Sequence, residues 1–340
     1  MRPELLQVVV CPVCHGRLGS EDGWTHGGLR CAGCGARYPL AGGIPDFTKS
    51  EDPRRGDFSM QWRARRRGSF EPEGLTYGVA DAALVRHILA VSGDLAPTSW
   101  ILDCGCGDGG KLAAAASARP DLRFLGLDRH ADLPAVAHTC RDLPNVHVVR
   151  GDARTLPLRS SSMASAWCLG VLHHLADQPT AARELLRVLL PESWLTLWLY
   201  PVPGDLEHPR VRLAFELYYA VRDLVFLGRG HRLPRGVRYS ATAGLAWLLA
   251  GPYEALFFRR VRSVKRSFEG AWQRPLAGAE LRRHLHFLFH DDLVPELQTR
   301  WSRAEVRTLF GKLGTSKVRA WQTAAELELL RLPGFYLVQR

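Results

Sequence analysis

Asp103 and a cluster of four glycines give the clearest chemical signal in the chain. The acid ends an apolar run, and Gly105, Gly107, Gly109 and Gly110 follow it before an alanine-rich stretch. This order predicts a strand, a tight turn with positive φ angles and a helix whose first N–H groups face a ligand. A turn that binds nothing is the alternative, and four glycines within six positions argue against it.

Two classes of ligand use such a turn. The series Gly105-x-Gly107-x-x-Gly110 matches the dinucleotide fingerprint, in which a pyrophosphate lies at the helix N-terminus. That fingerprint alone is weak evidence. A carboxylate at Asp103 would repel a pyrophosphate, whereas it suits a ligand with an ammonium group. S-adenosylmethionine (SAM) carries an ammonium and a sulfonium, so the acid favours SAM.

Four cysteines near the start of the chain are spaced as metal ligands. Cys11-x-x-Cys14 and Cys31-x-x-Cys34 are separated by sixteen residues, which is the pattern of a four-thiolate zinc site. Disulfides or free thiols are the alternatives, and the lack of a recognisable secretory signal disfavours disulfides. Four thiolates complete the tetrahedron, so we expect a structural zinc that provides much of the folding energy of residues 1–47.

The series Asp103-x-Gly105-x-Gly107-x-Gly109 resembles motif I of class I SAM-dependent methyltransferases. The resemblance implies an α/β, Rossmann-like fold with a seven-stranded sheet whose last strand is antiparallel, interrupted by a helical insertion. It also implies that Asp103, Cys104, Gly105 and Gly107 hold the methionine end of SAM.

Two further acids follow predicted strands in the order of that family. Residues 123–127 predict a strand that ends at Asp128, where a carboxylate accepts hydrogen bonds from ribose hydroxyls. Arg129 adjoins this site, and a surface turn is the alternative. A strand over 146–149 leads to Gly151-Asp152-Ala153, which resembles motif III. The resemblance implies that Asp152 binds the adenine amino group and that Ala153 lines the ring.

The fourth predicted strand, Met163–Leu169, leads to two candidate bases. After Leu169, residues 170–175 are similar to a Val-Leu-His-His segment of this superfamily, whose start lies beside the methyl group. His173 or His174 is a candidate general base because imidazole titrates near neutrality. We favour the alternative, in which they cap the next helix or pack on the cofactor, because positioning alone supplies much of the rate of an in-line methyl transfer.

The residues after the second cysteine pair resemble a second family. Residues 38–47 read Tyr-Pro-Leu-Ala-Gly-Gly-Ile-Pro-Asp-Phe. This is similar to the Tyr-Pro-Ile-x-x-Gly-Ile-Pro of small zinc-ribbon proteins that activate partner methyltransferases, with Leu40 in place of isoleucine. The resemblance implies an activator-like module fused to the enzyme. Some ribosomal RNA guanine methyltransferases also begin with a zinc ribbon, but they lack the Gly-Ile-Pro sequel.

These landmarks divide the chain into five parts. We expect a zinc ribbon (1–47), a linker or lid (48–74), the SAM-binding core (75–200), a helical cap (201–300) and the C-terminal part of the core (301–340). The pattern further predicts helices over 81–91, 181–190 and from the capping box at 302–305 to about 313, and strands over 194–200, 317–323 and 334–340. Glu192-Ser193 replaces a pair of glycines that the family has in a turn.

Three features of the linker and the cap leave their roles open. The linker has arginines at 54, 55, 63, 65, 66 and 67 among aromatic residues, which suits either RNA contact or a solvated linker. Gln61-Trp62 resembles a pair in fused zinc-ribbon methyltransferases that would cover the cofactor. The cap has apolar residues at helical spacing, such as Leu213, Leu217 and Trp247, and forms either a substrate pocket or a packing subdomain. The residues that resemble metal ligands with loose spacing, and that we expect in a strand or loop, are His284, His286, His290, Asp291 and Asp292.

The composition bounds the partners. The chain has 340 residues, 46% hydrophobic and 23% charged, which is typical of a globular protein. No apolar run reaches the roughly 18 residues of a membrane-spanning helix, and we expect a cytoplasmic protein. The net charge of +11 is compatible with RNA, but 40 of the 45 basic residues are arginine, which indicates compositional bias.

The leading hypothesis is therefore methyl transfer to a small or lipid-like organic acceptor. The alternative is methylation of ribosomal or transfer RNA through the ribbon and the arginine-rich linker. A non-catalytic scaffold that binds a partner is the third hypothesis, and the intact cofactor motif argues against it. The oligomeric state stays open.

Overall fold

The computed structural model of the chain describes residues 2–20, 27–48, 55–70, 75–76, 79–130, 132–206, 209, 212–213, 215–217, 219–220, 232–254, 277–293, 297–315, 317–320 and 334–340. Position 54 of the arginine-rich linker and positions 321–323 of an expected strand lie outside them. Among the described residues, no helix has both the length and the apolar character needed to span a bilayer.

The N-terminal module is a small antiparallel sheet. A 3-10 turn (Pro3–Gln7) precedes strands β1 (Leu18–Ser20), β2 (Gly28–Cys31), β3 (Arg37–Ala41) and β4 (Ile44–Pro45), which are hydrogen-bonded in that order. Leu29 and Tyr38 face each other across β2 and β3, and both are buried. Strands this short bury little apolar surface, so the module depends on additional stabilisation.

A seven-stranded sheet forms the centre of the molecule. A short antiparallel pair, β5 (Leu75–Thr76) and β6 (Val79–Ala80), precedes β7 (Trp100–Cys104), β8 (Arg123–Asp128), β9 (Val146–Arg150), β10 (Met163–Leu169), β11 (Leu189–Trp198), β12 (Val318–Ala320) and β13 (Phe335–Gln339). The order is β12-β13-β11-β10-β7-β8-β9. Strands β7 to β11 are parallel, and β13 is antiparallel to both neighbours. The predicted α/β fold is confirmed.

Helices cover both faces of this sheet. They are α1 (Arg55–Arg66), α2 (Asp81–Val91), α3 (Gly110–Ala118), α4 (Leu133–Thr139), α5 (Gln178–Val188), α6 (Arg235–Tyr253), α7 (Gly278–Leu293) and α8 (Arg303–Lys312). Strand β7 is buried along its whole length. Ile101 packs with Phe124 and Trp167 in one core cluster, whereas the next residue, Leu102, packs with Leu125 in another. A parallel strand buried on both faces needs the unbroken apolar run that predicted it.

The N-terminal module is attached to the outer strand of this sheet. Asp46 forms a parallel bridge with Arg150 of β9, and the N–H of Phe47 donates to the Arg150 carbonyl at 2.8 Å. The N–H of Val10 donates to the carbonyl of Pro157 at 2.9 Å. Side chains of the module and of the sheet belong to one buried cluster. The two parts therefore share a core.

The predicted bounds of the fifth strand are wrong. Strand β11 begins at Leu189, before the predicted start at Trp194, and α5 already ends at Val188. Glu192 has a φ of 62°, and the pairing of β11 with β10 shifts register there. Glu192 and Ser193 therefore form a bulge within the strand instead of a turn.

Two segments that were not predicted to be helical lie in helices. The expected linker includes α1, and the three histidines expected in a strand or loop, His284, His286 and His290, are buried on α7. Leu281, Leu285 and Phe289 recur every four residues there, and this helical period decides the structure.

Part of the cap is less buried than its apolar pattern suggested. Leu213, Leu217 and Trp247 are 55%, 58% and 68% exposed, respectively. The inner face of α6 instead carries Arg238, Thr242 and Ala246. Of the described cap residues, those that reach the candidate site come from α7.

Candidate functional site

A pocket opens at the carboxyl ends of the central parallel strands, where ligands bind in open α/β sheets. One side, here named the sheet wall, consists of Cys104, Gly105, Leu127, Asp128, Gly151, Asp152, Ala153 and Leu169. The opposite side, the helix wall, consists of Phe58, Trp62 and Arg65 from α1, His174 from the 3-10 turn Leu172–His174, and Phe287 and Asp291 from α7.

The glycine turn after β7 leaves no room for side chains. Gly105 has a φ of 87°, and a Cβ there would collide with the side chain of Val171. Gly107 has a φ of 57°, and a Cβ there would lie 2.8 Å from the Trp62 ring. The N–H of Gly107 donates to Asp128 Oδ2 at 3.0 Å. The turn is therefore fixed by the next strand and closely covered by α1.

Asp103 is fully buried at the end of β7. Neither carboxylate oxygen accepts a well-aligned hydrogen bond among the described residues. Burial raises the pKa of Asp103 to about 7, and the ammonium of Lys111 and the indole N–H of Trp167 oppose this rise only in part. An acid left in this state favours a cationic partner, because burying an uncompensated charge is costly.

Asp103 belongs to a set of five buried charged side chains, which we name the buried charge cluster. The carboxylates are Asp81, Asp103 and Asp108, and the cations are Arg65 and Lys111. Nε of Arg65 lies 3.1 Å from Asp108 Oδ2. Burial would lower the pKa of Lys111, but the neighbouring carboxylates, Asp103 first, raise it. Both cations are therefore charged, and both line the pocket.

The other two predicted acids lie at the ends of β8 and β9. Asp128 Oδ1 accepts the N–H of Arg129 at 2.7 Å, and its Oδ2 faces the turn, where it accepts the N–H of Gly107. Asp152 forms an ion pair with Arg154, with 2.6 Å between Oδ2 and the guanidinium nitrogen. Burial would raise the pKa of Asp152, but hydrogen bonds from Arg154 outweigh it and lower this pKa. For Arg129, in contrast, burial is the main effect, and it lowers the pKa of the guanidinium.

The helix wall is tied together by polar contacts between remote segments. Gln61 Nε2 donates to Asp291 Oδ1 at 2.9 Å, and the hydroxyl of Tyr200 donates to Asp291 Oδ2. The rings of Trp62 and Phe287 lie 6.2 Å apart. Trp62 thus covers the glycine turn, and Phe287 of α7 packs beside it.

The two candidate bases lie in different environments. His173 is fully buried, its ring stacks on Tyr200 at 4.0 Å, and burial lowers its pKa well below the usual value. His174 lines the pocket, and its Nδ1 lies 2.9 Å from the carbonyl oxygen of Leu297. Neither caps the next helix, because the Asp177 side chain accepts the N–H of Thr180 there.

Most of the predicted cofactor residues converge on this pocket. Those that line it are Cys104, Gly105, Asp128, Arg129, Asp152, Ala153 and Leu169. Asp103 is buried one residue before Cys104, and Gly107 lies beneath Trp62. Sequence reasoning missed Arg65, Lys111, Arg154, Phe287 and Asp291. Lys111 and Arg154 stand directly beside predicted motifs and could have been found there, whereas the two α7 residues have no local signal.

The four N-terminal cysteines form a second candidate site. The sulfurs of Cys11, Cys14, Cys31 and Cys34 all lie within 4.8 Å of one another, and two pairs are 3.4 and 3.6 Å apart. These separations suit a tetrahedral metal with Zn–S bonds of about 2.3 Å. Backbone N–H groups, that of Cys34 first, lower the pKa of Cys31 to about 6. The residues therefore fit a four-thiolate zinc site.

Two protein families match separate parts of the chain. Residues 102–197 match the family described as methyltransferase domain, and residues 2–43 match the Trm112p-like family. The first segment contains the glycine turn and the whole sheet wall. The second contains all four metal-site cysteines.

Similar proteins include enzymes named for different acceptors. A trans-aconitate 2-methyltransferase of Deinococcus radiodurans is 32% identical over 117 residues, 34% of this chain and 43% of the relative. A protein of Micromonospora griseorubida, named as a candidate 23S rRNA (guanine-N(1)-)-methyltransferase, is 29% identical over 205 residues, 57% of this chain and 66% of the relative. The chain thus spans less than two thirds of these relatives. A solved complex containing the Trm112 methyltransferase activator of Haloferax volcanii shows 14% identity over 86% of this chain and 98% of that one, with a TM-score of 0.43.

Proposed function

Because the chain joins a methyltransferase domain to a Trm112-like domain, we propose that it is a SAM-dependent methyltransferase with a fused zinc ribbon. The observation that carries the proposal is the arrangement of three acids at the ends of adjacent strands. Asp103, Asp128 and Asp152 lie at the carboxyl ends of β7, β8 and β9, respectively, around one glycine turn. An ammonium, a ribose and an adenine amino group of one SAM molecule would each meet a carboxylate there.

The zinc site has a structural role in this proposal. Cys11, Cys14, Cys31 and Cys34 supply four thiolates, so no coordination position is left for water or substrate. The hydroxyl of Tyr38 lies 3.0 Å from Cys11 Sγ, where it donates to the thiolate. The ion holds the short strands of the module together and so keeps the module's contacts to β9 in place.

The acceptor is a small or lipid-like organic molecule. The helix wall closes over the pocket with the aromatic rings of Phe58, Trp62 and Phe287, which favours an apolar molecule that fits between the walls. The name of the Deinococcus relative, a trans-aconitate methyltransferase, agrees with a small acceptor.

His174, and not His173, is the general base. The carbonyl of Leu297 can only accept, so His174 Nδ1 carries the proton and Nε2 carries the lone pair. When bound, SAM supplies an electrophilic methyl group on its sulfonium. His174 Nε2 would then accept the proton that the acceptor atom loses on methylation. His173 is fully buried and does not line the pocket, so it has no access to that proton.

RNA methylation is the second candidate function. The relative from Micromonospora griseorubida, named as a candidate rRNA methyltransferase, aligns over 57% of this chain, and the net charge of +11 suits a polyanion. The enclosed pocket would then receive a single base flipped out of its stack.

The test uses the full-length, zinc-loaded protein with SAM labelled in its methyl group. Label is expected in the organic extract of cells and absent from total RNA, and His174→Gln should lower the transfer rate about 100-fold while SAM affinity stays within twofold. Label in RNA would instead establish the second candidate. A protein that binds SAM but labels neither fraction would contradict both acceptor assignments.

A further inference from the structure

We propose that Arg65 and Lys111 form the receptor for the α-carboxylate of SAM, so that the buried charge cluster binds both charges of the methionine end. The inference rests on the proposed function. It goes beyond it because no predicted cofactor residue supplies a cation for this carboxylate at the glycine turn.

Position is the first argument. Arg65 reaches the pocket from α1, and Lys111 reaches it from the first turn of α3. The two cations therefore reach the glycine turn from two different helices. Arg65 pairs with Asp108, which lies within the turn and also accepts the N–H of Gly110 at 3.2 Å. A carboxylate bound at this turn would meet both cations.

Charge is the second argument. The cluster holds three carboxylates and two cations in the protein interior. An ammonium beside Asp103 and a carboxylate beside Arg65 and Lys111 would each enter next to an opposite charge, which offsets the cost of removing both from water.

The other cations of the pocket are committed elsewhere. Arg154 binds Asp152 through Nε at 3.0 Å as well as through a terminal nitrogen. The charge of Arg129 also interacts with Asp152. Both therefore serve the end of the pocket assigned to adenine. Of the described lysine and arginine side chains that line the pocket, Arg65 and Lys111 are those at the glycine turn.

The geometry of Arg65 suits a second carboxylate. A guanidinium carries five donors in a rigid fork, so it can serve two carboxylates at once. The guanidinium carbon lies near two neighbouring aromatic rings, 5.7 Å from the Trp62 centroid and 5.8 Å from the Phe287 centroid. A carboxylate bound by Arg65 would couple the position of α1 to the presence of the ligand.

A purely structural role is the competing account, in which Arg65 only ties α1 to the turn. The two accounts differ in their response to the ligand carboxylate. Decarboxylated SAM keeps the ammonium, the sulfonium and the adenosine and lacks only this group. The ratio of its dissociation constant to that of SAM therefore isolates the carboxylate from general damage to the fold.

Isothermal titration calorimetry would measure both ligands with the full-length, zinc-loaded protein. The variants are Lys111→Met and the double variant Arg65→Met with Asp108→Asn, which avoids a buried carboxylate without its partner. The control is Arg63→Met on the same helix, because the Arg63 side chain is 54% exposed.

The wild type should bind SAM about 10- to 100-fold more tightly than decarboxylated SAM, the range expected for charge-assisted hydrogen bonds. Both test variants should reduce this ratio to less than about threefold, and the control should keep it. Equal affinities in the wild type, or variants that weaken both ligands equally, would overturn the inference and leave the proposed function intact. A wild type that binds neither ligand would overturn both.

Discussion

The sheet wall of the pocket is made from consecutive strand ends, whereas the helix wall is made from segments far apart in the chain. Asp103, Asp128 and Asp152 lie within fifty residues of one another and follow neighbouring strands. Phe58 and Asp291 are separated by more than two hundred residues, and both line the same wall. The sheet wall therefore comes from one short pattern that recurs at successive strand ends, and the helix wall comes from residues that are distant in sequence.

This difference separates two tasks. The sheet wall offers backbone and carboxylates in a geometry fixed by the strands, which suits a cofactor with constant chemistry. In the helix wall, Trp62 and Arg65 lie at the glycine turn and belong to the cofactor in our proposal. The remaining side chains, Phe58, His174 and Phe287, suit an acceptor that differs between relatives. The following variants would break this division if it is wrong.

The largest effect is expected from Asp103→Asn, at the residue buried directly before the sheet wall. The substitution removes the charge that meets the ammonium of SAM, and loss of one partner of a buried pair should weaken SAM binding about 100-fold or more. Calorimetric titration with SAM measures this loss. Asp94→Asn is the matched control, since Asp94 is exposed. If Asp103→Asn binds SAM within threefold of wild type, Asp103 does not pair with the ammonium of SAM.

A smaller effect is expected from Trp62→Ala in the helix wall. Trp62 lies against Gly107, so its loss exposes the methionine end and should weaken SAM binding about 10- to 30-fold, chiefly through faster dissociation. Stopped-flow fluorescence measures the dissociation rate. Trp247→Ala removes an indole that is 68% exposed and should leave the rate unchanged. Slowed association with normal dissociation would show that Trp62 does not cover the bound cofactor.

The pH dependence sharpens the assignment of Asp103. Its pKa, raised to about 7 by burial, also reflects Lys111, Trp167, Asp128 and Asp81 around it. Below pH 7 the carboxyl of the free protein is protonated, so SAM should bind about tenfold more weakly at pH 6 than at pH 8. Calorimetric titrations across this range measure the change, and equal affinity throughout would contradict the pairing.

The same shift predicts the opposite trend for the stability of the SAM-free protein. The pKa of Asp103 is higher when folded than the 3.8 of an exposed acid, so the folded state binds the proton more tightly. Its contribution to the free energy of unfolding should be present below about pH 4 and be lost as the pH rises to 7. Urea titrations of wild type and Asp103→Asn measure it, and identical pH profiles would contradict it.

The smallest effect on the pocket is expected from the ribbon contact. Asp46→Asn weakens the pair with Arg150, whose atoms are 2.8 Å apart and mostly buried, and should lower the free energy of unfolding by about 1–3 kcal/mol. SAM affinity should change less than twofold, because neither residue lines the pocket. Urea titration and calorimetry measure the two quantities. A large loss of affinity would make the ribbon a third part of the site.

The same division explains what the sequence could predict. The glycine turn, Asp128 and Asp152 are found because each follows an apolar strand within a short local pattern. Asp291 could not be found, since its role depends on Gln61 and Tyr200 from remote segments. The strand or loop expected at the histidines of α7 was wrong, because that prediction did not use the apolar period of four residues in this segment. His174 was found as a candidate, but only the folded structure separates it from His173, because His174 lines the pocket and His173 is fully buried.

Hydrogen–deuterium exchange with and without S-adenosylhomocysteine tests the central claim most directly. If the cofactor lies on the sheet wall beneath α1, binding should slow exchange in residues 104–110 and 58–66 and leave residues 2–20 of the ribbon unchanged. Protection confined to the ribbon, or no protection in the glycine turn at saturating ligand, would contradict the account.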